Sequence, residues 1–153
     1  MPVVNVSEEK VIAAPAEKVY ACLTDYERHH GKILPPSFSN YRVEQGGLGA
    51  GTIVSFQMAA RGRMRTFRMQ VDEPKPGETL RETDTNSSLV TNFTVTPQDG
   101  GCRVRIDTRW KGASGIGGVM ERFFAPRALG KIYVDELARL DEYVRSLPPD
   151  AAG

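Results

Sequence analysis

The chain has few of the residues on which recognisable active sites are usually built. Among its 153 residues are two cysteines, two histidines and one tryptophan. Cys22 and Cys102 lie far apart, match no metal-ligand spacing and fall inside apolar periodic segments, so they read as buried free thiols. His29 and His30 are adjacent, and on a helix neighbouring side chains diverge by about 100°, which keeps the pair from chelating one ion. With no third histidine in the chain, no metal is expected, and a catalytic histidine is not the first choice. Charge of one sign is also missing. A formal net charge of +1 provides no field to gather nucleic acid or anionic membrane. No apolar run approaches the roughly 18 residues needed to cross a bilayer, and no signal-peptide pattern opens the chain. These absences predict a cytoplasmic protein, monomer or homodimer, without nucleic-acid partner, integral membrane segment or cofactor. Nucleophile elbow, P-loop and paired-cysteine motifs are absent too. "GASGIGG" (112–118) lacks the third glycine of a dinucleotide fingerprint and reads as a hinge, while "RGRMR" (61–65) reads as a hairpin tip.

What is present is ordinary in amount and informative in pattern. An apolar fraction of 40% and a charged fraction of 25% suit one globular domain, large enough to bury about 70% of its unfolded surface. That domain is expected over 1–147, with a loose tail over 148–153. Residues 3–13 read as a strand, and Pro15 opens a helix carrying Val19, Cys22 and Leu23 at helical spacing to about Asp25. A short second helix is expected through His29 or His30, and the prolines of "ILPPSFSN" break the chain. From residue 40 the period becomes two. Val54, Phe56 and Met58 share a face, as do Phe67, Met69 and Val71, then Leu89, Phe93 and Val95, then Cys102, Val104, Ile106 and Trp110. "ETLRETDT" makes a weaker strand among them, and the intervening glycine-, proline- and aspartate-rich stretches supply turns.

The predicted order is β-α-α-β6-α, a meander with one apolar face to be covered. The only large apolar element left is a C-terminal helix over 115–147. Its 33 positions would run to about 50 Å, against about 33 Å for a ten-residue strand. The helix must therefore cross obliquely, bend, or begin later than Gly115. Pro126 is expected to interrupt it and bend the axis near Phe123 and Phe124, making a two-part lid that is firmly packed from about Ile132.

The opening "VIAAPAEKVYACLTDYERH" resembles the signature of the START-related SRPBCC superfamily: strand, Ala-Pro, a helix with a central aromatic, then Thr-Asp-aromatic. The strand order and long last helix are similar to its polyketide cyclase/dehydrase-like branch. The resemblance implies an α+β helix-grip fold, a curved antiparallel seven-stranded sheet wrapped around a long C-terminal helix. It also implies a cavity between the two for a small hydrophobic molecule such as a lipid, sterol, polyketide, quinone or plant hormone. A minority of such proteins catalyse cyclisation or dehydration.

On that expectation the strand parity selects a lining of Val54, Phe56, Met58, Phe67, Met69, Phe93, Ile106 and Trp110, with Thr91 and Thr108 on the same faces. Phe123, Phe124 and Tyr133 would close it from above, with Tyr20 and Leu23 at its mouth. Arg65 shares the parity of Phe67, and Glu82 and Asp84 share that of Leu80. These three are the candidates for orienting a ligand or moving protons. The competing expectation is that strand ends lift their charges to the solvent rim, since an unpaired buried charge is strongly unfavourable.

Overall fold

In a computed structural model, residues 3–60, 62–111 and 125–148 are described. The chain forms β1 (Val3–Ile12), α1 (Ala16–Thr24), a 3₁₀ turn (His30–Ile33), then β2 (Phe38–Gln45), β3 (Ile53–Ala60), β4 (Arg63–Lys75), β5 (Thr79–Asp84), β6 (Val90–Gln98), β7 (Gly101–Lys111) and finally α2 (Pro126–Ser146). One antiparallel sheet holds all seven strands in the order β1-β7-β6-β5-β4-β3-β2. It is the expected meander, with the first strand returning to pair along β7 from Val3–Lys111 to Ile12–Cys102.

Alternation decides which face is covered. Leu80, Phe67, Phe93, Val95, Val104, Ile106 and Trp110 are buried on one face. The other face is laced by ion pairs such as Arg68–Glu44 at 2.9 Å and Arg103–Glu9 at 2.8 Å. Such exposed pairs add little stability and keep the outer face wetted.

The last helix takes one of the expected alternatives, beginning later than Gly115, and corrects the expectation at Pro126. It spans 21 residues, and Pro126 lies in its first turn instead of interrupting it. Proline fits there because its missing N–H would have had no intrahelical partner and its φ is already helical. At about 1.5 Å per residue the helix is about 31 Å long, close to the strands it covers, so it needs no bend. Residues 112–124, including the Phe123 and Phe124 of the expected lid, lie outside the described residues. The helix buries Leu129, Tyr133, Glu136, Leu137, Leu140 and Val144 at helical spacing. It packs chiefly along β1, with its C-terminal end near α1, where the Lys18 ammonium donates to the Leu147 carbonyl at 3.2 Å.

The expected second helix is a four-residue 3₁₀ turn. Asp25 ends α1 by leaving helical geometry, and its carboxylate accepts from the Arg28 backbone N–H at 2.9 Å and guanidinium at 2.7 Å. Those bonds shape the turn that delivers Tyr26 and His30 to the concave side of the sheet.

Candidate functional site

The concave face is only partly filled by α2, and a cavity remains toward β2, β3 and β4. Val54, Phe56 and Met58 of β3, with Phe67 and Met69 of β4, form its floor. Glu82 of β5, Leu89, and Thr91 and Phe93 of β6 continue it. Phe38 and Tyr41 of β2 make a side wall; Tyr26, His30, Leu34, and Tyr133 and Glu136 of α2 close it. The free space is about 40 Å³, room for a few water molecules and much less than a bound organic ligand fills.

Its polar groups converge on one place. The Tyr26 hydroxyl donates to Glu82 Oε2 at 2.7 Å, and His30 Nε2 stands 3.7 Å from the same oxygen. His30 Nδ1 is 2.6 Å from the Leu23 carbonyl. A carbonyl only accepts, so Nδ1 carries a proton and Nε2 is the nitrogen turned toward Glu82. The imidazole is clamped by stacking on Tyr26 at 4.4 Å and by the edge of Phe93 at 5.4 Å. Tyr41 donates to the Tyr26 carbonyl at 2.6 Å and fixes the turn from β2. Gly31 permits this approach, because a Cβ there would fall 2.9 Å from the Tyr41 ring.

Glu136 reaches the cavity from α2 and is only 2% exposed. Among the described residues no hydrogen bond reaches its carboxyl. Burial, and then the charge of Glu82, push its pKa up to about 8, so near neutral pH it holds a proton. Burial and Glu82 likewise raise the Tyr26 hydroxyl, and burial raises Tyr41 and Tyr133, so all three remain donors. A chain from Thr91 to Thr108 at 2.7 Å continues to the Tyr133 hydroxyl and fixes its direction. The site thus presents an acid, a carboxylate, an imidazole nitrogen and hydroxyl donors at the end of an apolar chamber.

Of the residues selected by parity, Val54, Phe56, Met58, Phe67, Met69, Thr91, Phe93 and Glu82 line this cavity, and so does Tyr133, expected to close it from the last helix. Thr108 stands behind it as the support of Tyr133, and Leu23, Ile106 and Trp110 are buried in the surrounding core. Tyr20 is turned elsewhere: its hydroxyl donates to Glu73 at 2.7 Å. Arg65 is half-buried with its guanidinium 5.6 Å from the Phe67 ring centroid and does not line the chamber. Asp84 is buried, but it accepts from the Arg68 N–H at 3.2 Å and the Ser87 hydroxyl at 2.6 Å, which makes it a clasp of the β5–β6 turn. His29 contacts Tyr143 of α2 at 2.6 Å, apart from His30. Among the described residues no cluster of three or more metal-ligating side chains occurs.

Tyr26, Leu34, Phe38, Tyr41 and Glu136 were not selected by strand parity. Glu136 had a usable signal: it falls on the helical stripe of Leu129, Tyr133, Leu137 and Leu140, a place where a carboxyl needs a reason.

Comparison with known proteins gives this geometry a family. The model of the family described as "Polyketide cyclase / dehydrase and lipid transport" matches residues 3–145. The solution structure of the KanY protein is 36% identical, covers 95% of this chain and 100% of its own, and superposes with a TM-score of 0.85. Pathogenesis-related protein 2 of Petroselinum crispum is 28% identical over 118 residues, 71% of this chain and 75% of its own. The Zhui aromatase/cyclase from Streptomyces shares the fold, with a TM-score of 0.67 over 94% of each chain at 16% identity. The chain belongs to the polyketide cyclase/dehydrase and lipid transport family.

Proposed function

We propose that the protein binds a small, mainly apolar molecule between the concave sheet and α2, with the polar end of that molecule at Glu82 and Glu136. The observation that carries this reading is the apolar chamber whose polar groups gather at one spot. The present space is small, so binding requires the walls to move. Met58 and Met69 are unbranched wall residues suited to that adjustment. Native mass spectrometry of gently purified protein, together with titration of an apolar fluorophore, tests the reading. Val54→Phe, which fills the chamber from β3, is expected to weaken fluorophore binding by at least about tenfold while costing about 1–3 kcal/mol of stability. Unchanged affinity in that variant, or no binding by the parent, would sink the proposal.

A second reading is a cyclase- or dehydratase-type enzyme acting in the same chamber on a polyketide-like substrate. The convergence of Glu82, Glu136, Tyr26 and His30 favours it, because acid, base and carbonyl-directed donor stand together. Arg65 and Asp84 take no part in that group. Glu136→Gln would then abolish turnover of a poly-β-ketone while leaving its binding measurable; equal turnover by parent and variant would remove Glu136 from any such mechanism.

A further inference from the structure

We infer that the molecule taken up by this cavity carries a protonated amine on an apolar body, with the ammonium held between Glu82 and Glu136. This rests on the binding reading above and specifies its ligand class. The first support is the sign of the lining. Two carboxyl groups enter from opposite layers, Glu82 from the sheet at 6% exposure and Glu136 from α2 at 2%. Among the described residues no lysine or arginine side chain lines the chamber. Among the described residues His30 is the one lining group that can carry positive charge; its Nδ1 is bonded to the Leu23 carbonyl and its Nε2 stands 3.7 Å from Glu82, leaving Glu136 without a cationic neighbour.

A carboxylate, phosphate or sulfate headgroup would therefore meet the negative charge of Glu82 in apolar surroundings with no lysine or arginine among the described lining to offset it, and like charges repel far more strongly there than in water. A hydroxyl would be accepted without bringing a charge to offset that of Glu82. An ammonium offers three donors and the opposite charge to Glu136, which has neither among the described residues, and to Glu82, whose neighbours are the Tyr26 hydroxyl and His30. The remaining walls suit it as well, since Tyr26, Tyr41, Phe93 and Tyr133 present aromatic rings to the same chamber.

The second support is the state of Glu136 without such a guest. It faces Glu82 from β5, Tyr41 from β2, Tyr26 and His30 from the turn after α1, and Tyr133 and Asp135 from its own helix. None of these is a permanent cation, so Glu136 retains its proton near neutral pH. Entry of an ammonium makes the carboxylate favourable, and that proton leaves to solvent. Amine binding thus tightens with pH up to about 8, where Glu136 loses its proton without help.

The test is calorimetric titration of the full chain with n-octylamine, 1-octanol and octanoate, three probes with the same apolar body and different ends. Octylamine is expected to bind at least about tenfold more tightly than octanol, and octanoate more weakly than octanol. Octylamine binding at pH 7 should release a substantial fraction of one proton, read from the dependence of the heat on buffer ionisation. The double variant Glu82→Gln with Glu136→Gln should lose at least about tenfold for octylamine and keep octanol affinity within about threefold, the retained octanol binding showing an intact fold. Octanol or octanoate binding as tightly as octylamine would overturn the inference while leaving the binding reading standing. If none of the three binds, the binding reading falls and the inference with it.

Discussion

Replacing Glu136 with glutamine is expected to stabilise the protein at pH 7 by about 3 kcal/mol, and by little at pH 5. Burial, then the neighbouring Glu82, raise the folded-state pKa from its ordinary 4.5 to about 8. Below 4.5 both folded and unfolded chains carry the proton, and Glu136 leaves stability independent of pH. Between 4.5 and about 8 the folded protein keeps a proton that the unfolded chain has released. Stability then falls with rising pH by up to about 1.4 kcal/mol per unit. Above about 8 the loss is complete, at about 5 kcal/mol in all. Glutamine is neutral in both states and removes this slope. Urea unfolding of both proteins at pH 5, 7 and 8.5 reads the effect as a widening gap, and thermal unfolding at pH 7 as a difference in Tm of about 10 °C. Parallel stability–pH curves would show that Glu136 is solvated or paired in a way the described contacts do not contain.

A group that weakens the fold at working pH and lines its cavity is the pattern expected where function sets the residue. Glu136→Gln should accordingly be the more stable protein and the poorer partner for a cationic ligand. The opposing directions separate a site residue from a structural one. A carboxyl kept only for packing would give no such trade.

The sheet was legible because its signal is dense. Period-two alternation runs through β3, β4, β6 and β7, and the turns between them carry glycine, proline, aspartate and asparagine. The floor of the cavity followed from the same parity, because Phe56, Phe67, Met69 and Phe93 must face whatever covers the sheet. The closing side did not follow. Tyr26 and His30 reach the chamber through a turn whose direction is set by Asp25 and Arg28, a local hydrogen-bond pattern with no periodicity. The expectation that Pro126 interrupts the last helix failed because a proline that interrupts a helix and one that begins it look alike in sequence; the backbone before it decides. The charged residues divide for a related reason. Parity places Glu82 and Asp84 on one face, but only contact geometry separates a carboxylate at the cavity from one clasping a turn.

The pair Gly100-Gly101 shows the same difference between pattern and contact, and supplies the other large expected effect. Both belong to "PQDGG", which reads simply as a turn. At Gly100 the backbone has φ +81°, and a Cβ would meet nothing within 4 Å. Gly100→Ala should therefore cost only the left-handed preference, about 1–2 kcal/mol. At Gly101 a Cβ would fall 2.0 Å from the Ile12 carbonyl oxygen and 3.1 Å from Ala13 Cα. Both obstacles are backbone, at the point where β1 pairs with the start of β7 through Ile12 and Cys102. Neither strand can yield by rotating a side chain, so the end of the pairing must open by about 1 Å and loosen the fully buried Ile12 and Cys102. Gly101→Ala is expected to cost about 3 kcal/mol or more, lowering Tm by about 10 °C. Because α2 packs along β1, the same variant should also weaken fluorophore binding in the cavity, although Gly101 lies outside its lining. Thermal unfolding of the two alanine variants side by side decides the point: a Gly101→Ala protein no less stable than Gly100→Ala would mean that the β1–β7 edge is free to shift, and that the grip on α2 is looser than its contacts imply.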